Sequence, residues 1–289
     1  MIRAARHLET AAQKCIREKV EGLCAERSLK LTKSDPSRTV AHVTAPVRID
    51  FFGGWLDTPP IFFSMENAAV VNMAVELDGK NPISCTITKT DLPYIELHQD
   101  GSRILIQSDE HLLFMHDQPS EPGALVAACI VALGFKTLSG LFETLQCSGL
   151  RIETISDLPH GSGLGTSSIM ACTILKAFSA FGGGATEDQI VHTVLCVEQL
   201  MTTGGGWQDQ CGAVYPGLKT CYYTPNGIRQ RPIPLSPRVK ELLEDRLLLV
   251  YTGKTRLAKN LLQEVIRNFY TCTETQKRLR EMAEGVEEF

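Results

Sequence analysis

Residues 157–171 of this chain read DLPHGSGLGTSSIMA. The β-branched run that ends at Ile155 predicts a strand before it, and the apolar spacing over residues 166–178 predicts a helix after it. Three alternating glycines lie between the two, namely Gly161, Gly163 and Gly165. Glycine lets backbone approach a ligand closely, and a helix start offers unpaired N–H groups and the positive end of its dipole. The stretch therefore predicts an anion cradle sized for the phosphates of a nucleotide.

Three familiar phosphate-binding patterns are absent. Residues 253–255 read GKT like the end of a Walker A loop, but the required first glycine is Leu248. The dinucleotide pattern fails because its third glycine would be Thr166, and neither HRD nor DFG, the protein-kinase signatures, occurs. An ordinary strand–turn–helix link is the structural alternative. Three glycines followed by three hydroxyl residues exceed what a plain turn needs.

Residues 159–168 resemble the phosphate loop of the GHMP kinases, a family that includes galactokinase and mevalonate kinase. Thr166 replaces the usual first serine of that loop, and Ser168 replaces a common alanine. The resemblance implies ATP as a substrate. It also implies that ATP contacts Pro159, Gly161, Ser162, Gly163, Leu164, Gly165, Thr166, Ser167 and Ser168.

A second unusual stretch is residues 45–60, APVRIDFFGGWLDTPP. Two glycines, an indole, a carboxylate and a hydroxyl in one loop suit a sugar site, because aromatic faces stack on C–H surfaces and carboxylates accept hydroxyl hydrogen bonds. A Gly-Gly turn with a packing tryptophan is the alternative. The stretch resembles the first motif of the L-fucose kinase and heptose kinase branch of the family. That resemblance implies that Arg48 reaches the catalytic centre and that the sugar contacts Gly53, Gly54, Trp55, Asp57 and Thr58.

A third stretch carries two carboxylates, Glu198 near the end of a predicted helix and Asp209 within residues 202–210, TTGGGWQDQ. Glu198 could be a solvated helix residue, whereas an aspartate after three glycines and a tryptophan is harder to attribute to surface charge. Their separation resembles the family's pairing of a magnesium-binding glutamate with a catalytic aspartate. The resemblance implies that Ser167 and Glu198 hold Mg²⁺ and that Asp209 and Arg48 are catalytic.

Composition limits the function classes. The 289 residues hold 29 Lys and Arg against 33 Asp and Glu, a net charge of −4, which argues against nucleic acid or an anionic membrane as the main partner. No apolar run is long enough to span a bilayer, and the first residues lack the apolar core of a signal peptide. Ten cysteines are scattered without a C-x-x-C pair or metal spacing. These features favour a reduced, cytoplasmic location.

The chain as a whole predicts an α+β fold. Residues 43–50 are expected to form one strand, and alternating runs at 68–77, 83–89, 94–99 and 103–107 are expected to form an antiparallel meander. Residues 122–138 are expected to form a helix. Residues 214–223 and 228–235 are expected to form a hairpin around Asn226-Gly227, and residues 246–251 a buried strand followed by a helix from Leu257.

The resemblance covers roughly residues 43–270 and implies a GHMP-kinase-like two-domain fold. The expected divisions are an N-terminal helix and linker at 1–38, an N-terminal domain with a mixed or antiparallel sheet and helices at 39–240, and the start of a C-terminal α/β domain at 241–289. The family's glycine-rich third motif does not follow. That C-terminal domain is therefore expected to be only partly present.

The resemblance implies an ATP-dependent kinase that phosphorylates the anomeric hydroxyl of L-fucose with the help of Mg²⁺. A heptose or another 6-deoxysugar is the alternative substrate. A catalytically silent relative that binds sugar and nucleotide is the alternative of another class. The expected partners are a small sugar and ATP, with neither nucleic acid nor membrane.

Overall fold

The computed structural model describes residues 2–159, 161–253 and 258–288. Its strands are β1 Val40–Ala45, β2 Val47–Phe52, β3 Ala69–Val75, β4 Ile83–Thr90, β5 Ile95–Gln99, β6 Ser102–Ile106, β7 Gly149–Ser156, β8 Leu218–Thr224 and β9 Gly227–Pro232. Its helices are α1 Ile2–Cys24, α2 Pro59–Phe62, α3 Asp109–His116, α4 Ala124–Ala132, α5 Leu138–Leu145, α6 Thr166–Ser179, α7 Glu187–Leu200, α8 Gln208–Val214, α9 Pro237–Arg246, α10 Ala258–Thr271 and α11 Thr273–Gly285, followed by a 3₁₀ turn at Val286–Glu288.

The strands form two sheets. One has the order β1-β4-β7-β5-β6, in which only β5 and β7 are parallel, and the other has the antiparallel order β2-β3-β8-β9. The single strand expected at 43–50 is two strands that belong to different sheets. Pro46 separates them, because proline has no N–H to continue a ladder. The chain therefore crosses from one sheet to the other directly before Arg48.

The expected meander is wrong, although each of its strands exists. β3 lies in the second sheet, β4 pairs with β1 and β7, and only β5 and β6 form a consecutive hairpin among these four strands. The hairpin turn expected at Asn226-Gly227 does connect β8 to β9. The helix expected at 122–138 ends at Ala132, followed by Gly134 with a φ of 94°.

Helices join the two sheets. α6 packs on β1 and β4 of the first sheet, α8 packs on β2 and β3 of the second, and α6 and α8 pack against each other. α7 lies against both of these helices and against α1, whose Val20 and Cys24 are fully buried. None of the described helices is long and apolar enough to cross a membrane. Helices α6, α7 and α8 are thus all in contact with one another.

The C-terminal part differs from expectation. The buried strand predicted at 246–251 is not formed; α9 ends at Arg246 and the run LLLVY that follows is exposed, Leu248 to 83% and Val250 to 68%. The expected first residue of the next helix, Leu257, lies outside the described residues. α10 contacts α2, and the 3₁₀ turn after α11 contacts β3.

Candidate active site

The glycine-rich loop connects β7 to α6 as expected. Gly165 is the N-cap of α6, with a φ of 75°, and its lack of a side chain leaves the first N–H groups of the helix without a side-chain cap. A Cβ on Gly163 would meet nothing within 4 Å, so this part of the loop faces open space. Pro159 accepts a backbone hydrogen bond from Ser162 at 3.2 Å. An anion can therefore reach the positive end of α6.

The hydroxyl residues of the loop do not share one environment. Ser162 and Thr166 lie within hydrogen-bond distance of each other at 3.4 Å, and Ser167 is exposed on the first turn of α6. Ser168, the next residue of that turn, is buried. Leu164 packs against the core. The loop thus exposes hydroxyls at its outer face and uses Ser168 inside the protein.

Asp209 stands on the first turn of α8 and is held by Arg48 of β2. Arg48 donates to Asp209 Oδ1 from Nε at 2.8 Å and from Nη2 at 2.6 Å, and its Nη1 donates to the Gly163 carbonyl oxygen at 3.3 Å. Asp209 Oδ2 has no hydrogen-bond partner within the part of the chain that the structure describes. Burial opposes the charge of Arg48, but Asp209 and Asp50 outweigh it, so the pKa of Arg48 is raised. Among the described residues, the arrangement thus leaves one oxygen of Asp209 without a partner beside the glycine-rich loop.

The predicted sugar loop, residues 53–58, follows an irregularity at the end of β2. Trp55 has a φ of 77°, which is unusual for a non-glycine residue, and its side chain is 36% exposed. Gly53 is required by the backbone and by packing, because its φ is 82° and a Cβ there would overlap the carbonyl oxygen of Ala69. Thr58 is buried at the N-cap of α2 and makes no side-chain cap. Trp55 is therefore the member of this set that most clearly faces outward.

Asp57 turns inward and meets α8. Its Oδ2 accepts the backbone N–H of Gln208 at 3.1 Å, and burial raises its pKa to about 7. A Cβ on Gly54 would lie 3.7 Å from the Oε1 of Gln208. The sugar loop and the segment that carries Asp209 are thus in contact through Gln208.

Glu198 lies near the end of α7 and is 7% exposed. Ser168 donates to its Oε1 at 2.5 Å, and Thr203 donates to its Oε2. Burial raises the pKa of Glu198, which these two hydrogen bonds oppose. Glu198 is thus hydrogen-bonded to Ser168, whereas Ser167, the other predicted magnesium ligand, is exposed.

The predicted magnesium ligands fit that ion by donor type. Among the described residues no group of three or more His, Cys, Asp or Glu is placed to hold a metal. Mg²⁺ prefers hard oxygen atoms and is usually held by one or two carboxylates, with phosphate and water oxygens completing its shell. Glu198 and Ser167 supply oxygen donors on the two helices that meet at the loop. The residues present therefore fit Mg²⁺ bound together with a nucleotide.

Glycine recurs where a charged side chain of the site needs room. A Cβ at each of four glycines would come into hard contact with one such side chain. The four pairs are Gly165 with Asp209, Gly205 with Glu198, Gly206 with Asp57, and Gly212 with Arg48. Gly205 and Gly206, which the sequence singles out only as part of a glycine run, thus leave the space that the carboxylates of Glu198 and Asp57 occupy.

Two residues of the site were not singled out from the sequence. Asp50 lies 2.5 Å from Arg48 through its Oδ2, and Gln208 Nε2 donates to that same oxygen at 2.8 Å. The spacing of Arg48 and Asp50 on one strand could have indicated the pair, because residues two apart share a face. Two surface cavities of about 410 and 520 Å³ lie elsewhere and include none of the predicted site residues.

Comparison with known proteins identifies the family. Residues 124–217 match the GHMP kinases N terminal domain. The bifunctional fucokinase/GDP-fucose pyrophosphorylase of Arabidopsis thaliana is 38% identical over 259 residues, which are 86% of this chain and 24% of that protein. The L-fucokinase/L-fucose-1-P guanylyltransferase of Bacteroides fragilis is 37% identical over 240 residues, 78% of this chain and 25% of that protein. The chain thus spans about a quarter of the length of these curated relatives.

The solved structure of mevalonate kinase from Methanococcus jannaschii shares the fold. Its TM-score is 0.56 at 15% identity, over 87% of this chain and 72% of that chain. This likeness confirms the α+β fold that the chain as a whole predicts, and the sequence matches confirm the expected family. The chain belongs to the GHMP kinase family.

Proposed function

We propose that the protein is an ATP-dependent sugar kinase that transfers the γ-phosphoryl group of ATP to the anomeric hydroxyl of L-fucose. The observation that carries the proposal is the position of Asp209. A Cβ on Gly165 would lie 2.8 Å from Asp209 Cγ, so this carboxylate sits against the N-cap of the helix that follows the glycine-rich loop. A proton acceptor beside a phosphate cradle is what transfer to a hydroxyl needs.

Each residue has a defined part in this reaction. The sugar hydroxyl donates its hydrogen bond to Oδ2 of Asp209 and loses its proton to that oxygen as the new O–P bond forms and ADP leaves. Arg48 stays charged and so favours the ionised form of Asp209. The N–H groups at the start of α6 donate hydrogen bonds to the phosphate oxygens and stabilise their negative charge. Mg²⁺, when bound, supplies neutralisation of charge on the phosphoryl groups, and Glu198 and Ser167 would hold it.

The choice of L-fucose rests on the relatives. Two of them carry fucokinase in their names, at 38% and 37% identity over most of this chain. Trp55 offers an exposed aromatic face and Asp57 a carboxylate that accepts hydrogen bonds, the mixture that sugar sites use. These features support a monosaccharide as the acceptor.

The test is an assay of ADP release with ATP, Mg²⁺ and L-fucose, with the product identified by ³¹P NMR. We expect a sugar 1-phosphate from L-fucose, less product from a mannoheptose, and none from 1,5-anhydro-L-fucitol, which lacks the anomeric hydroxyl. Binding of L-fucose and ATP without ADP release would instead indicate a catalytically silent relative. Faster turnover of the heptose would reassign the substrate.

The matched variant is Asp209→Asn, which keeps the shape of the side chain and removes its charge. Turnover should fall by about two to four decades while ATP binding persists, the usual effect of losing a positioned acid–base group. Glu96→Gln is the control, because Glu96 also pairs with arginines, Arg103 and Arg151, but on the other sheet. Near-normal turnover of Asp209→Asn would remove Asp209 from the catalytic role.

A further inference from the structure

Asp50 makes polar contacts with two residues of the site. It lies two residues after Arg48 on β2 and extends from the same face of the strand. Its Oδ2 is 2.5 Å from Arg48 Nη1 and accepts Gln208 Nε2 at 2.8 Å. Its partner across the ladder is Asn72, which donates to the Gln208 carbonyl oxygen at 3.2 Å. Asp50 therefore contacts both Arg48 and Gln208, the residue directly before Asp209.

The contact between Arg48 and Asp209 has an unusual form. An arginine and a carboxylate normally pair as two forks, with two N–H groups on two oxygens. Here Nε and Nη2 of Arg48 both donate to Oδ1 of Asp209, whereas Nη1 forms an ion pair with Asp50 and donates to the Gly163 carbonyl oxygen. The guanidinium is thus shared between two carboxylates, which explains why Oδ2 of Asp209 has no partner among the described residues.

We propose that Asp50 is a positioning residue for the transfer reaction. By holding the Nη1 edge of Arg48, Asp50 prevents the guanidinium from engaging both oxygens of Asp209 and so keeps Oδ2 available to the acceptor hydroxyl. Without the Asp50 charge, the fork-to-fork arrangement on Asp209 becomes the better one for Arg48. The structural half of this proposal needs only Arg48 and Asp209, and its kinetic half rests on the proposed function.

The structural half is tested by crystal structures of the protein and of its Asp50→Asn variant. Asparagine keeps the shape and can still accept from Gln208, but it carries no charge for Arg48. We expect Nη1 or Nη2 of Arg48 to contact Oδ2 of Asp209 in the variant. An Arg48 that stays on Oδ1 alone in Asp50→Asn would overturn the proposal, whether or not the protein turns over L-fucose.

The kinetic half is tested by steady-state turnover with L-fucose. Asp50→Asn should lower kcat about 10- to 100-fold and leave the KM for ATP within about twofold, because only the proton acceptor is affected. A residue that matters only for folding would not give this division. In a background that already carries Asp209→Asn, the same change should have almost no further effect, since both act through one carboxylate.

The control is Glu96→Gln, which removes a carboxylate charge paired with Arg103 and Arg151 away from the site. It should leave kcat unchanged. Additive losses in the double variant, or equal losses in kcat for Asp50→Asn and Glu96→Gln, would contradict the positioning role. A protein without sugar-dependent turnover would overturn the proposed function, while the crystal structures would still decide how Asp50 acts on Arg48.

Discussion

Three carboxyl groups of the site are held under conditions that oppose their ionisation. Burial is the main reason that the pKa values of Asp50, Asp57 and Glu198 are raised, in the case of Asp50 to about 6. Such groups lower the stability of a fold when they are charged, and perturbed carboxyls of this kind concentrate at functional sites. The three groups therefore mark this region as a candidate functional site on physical grounds.

The raised pKa of Asp57 should make the stability of the protein depend on pH. Its folded pKa of about 7 lies above the 3.8 of an ordinary aspartate, so the unfolded chain ionises first as the pH rises. Stability is therefore lost from about pH 4 to about pH 7, by about 1.4 kcal/mol per pKa unit or on the order of 4 kcal/mol in total. Asp57→Asn should remove this loss, so that its Tm exceeds that of the parent by a margin that widens up to pH 7.

The same variant should bind sugar less well. The KM for L-fucose should rise several-fold at pH 8 and the KM for ATP should not, because an amide replaces a charged hydrogen-bond acceptor. Thermal unfolding at several pH values and initial-rate kinetics check the two parts. Asp91→Asn, at an exposed position, is the control for the Tm. A Tm difference that does not change with pH would show that the pKa of Asp57 is the same in the folded and the unfolded protein.

The Ser168→Ala variant tests the role of Glu198 on α7. Ser168→Ala removes the donor to Glu198 Oε1 and leaves a buried carboxylate oxygen without that bond, at a cost of about 1–3 kcal/mol. We expect a lower Tm and a several-fold higher Mg²⁺ concentration for half-maximal ATP binding, measured by calorimetric titration. Ser179→Ala is a matched control, since Ser179 is also buried on α6 but donates to the Lys176 carbonyl oxygen. An unchanged Mg²⁺ requirement in Ser168→Ala would separate Glu198 from the metal.

At the level of the elements, the positions of strands and helices in the chain could be predicted better than the pairing between strands. The sequence predicts β4, β5 and β6 closely, but their order in the sheet depends on β1 and β7, which are distant in the chain. Local alternation says which residues share a face and not which strand lies beside them. The division of residues 43–50 at Pro46 could have been foreseen, because proline cannot continue a ladder.

The candidate site could also be predicted only in part, because its local motifs show in the sequence but the contacts between distant residues do not. The loop, Asp209 and Arg48 carry signals in short stretches, and the structure brings these stretches together. The hydroxyl that meets Glu198 was not predictable, because neighbouring helix positions are rotated by about 100° and the phase of α6 on α7 decides between Ser167 and Ser168. Asp50 was missed because it ends the predicted strand at 43–50, and a carboxylate at a strand end is ordinarily assigned to solvent.

Helix α8 allows a test in which helix propensity and packing oppose each other. Gly212 is inside this helix, and a Cβ there would overlap the Cβ of Arg48. Gly to Ala in a helix interior normally stabilises by about 1 kcal/mol. Here we expect Gly212→Ala to lower turnover at least tenfold and to lower the Tm, because Arg48 is displaced from Asp209. A more stable protein with full turnover would mean that Arg48 can shift without consequence.

At the scale of the whole molecule, residues 241–289 are proposed to belong to a second structural unit. Two features support this. α9 has no buried residue, and residues 247–251 pair with no strand among the residues that the structure describes. α10 and the turn after α11 nevertheless reach the first unit, since Leu262 lies near Gly204 and Gly285 near Phe52. This segment therefore borders the loops that carry the site.

The exposed run at 247–251 is expected to promote self-association of the protein. Five consecutive apolar residues, each at least 43% exposed, form a surface that favours association and that can pair as an edge strand. Leu248→Lys with Val250→Lys should therefore reduce self-association, measured by sedimentation velocity over a range of concentrations, and leave ATP affinity within about twofold. Phe114→Lys is the control, because Phe114 is an exposed apolar residue on α3, outside this run. If the double variant associates as strongly as the parent and as the control, the run is not the surface through which the molecules meet.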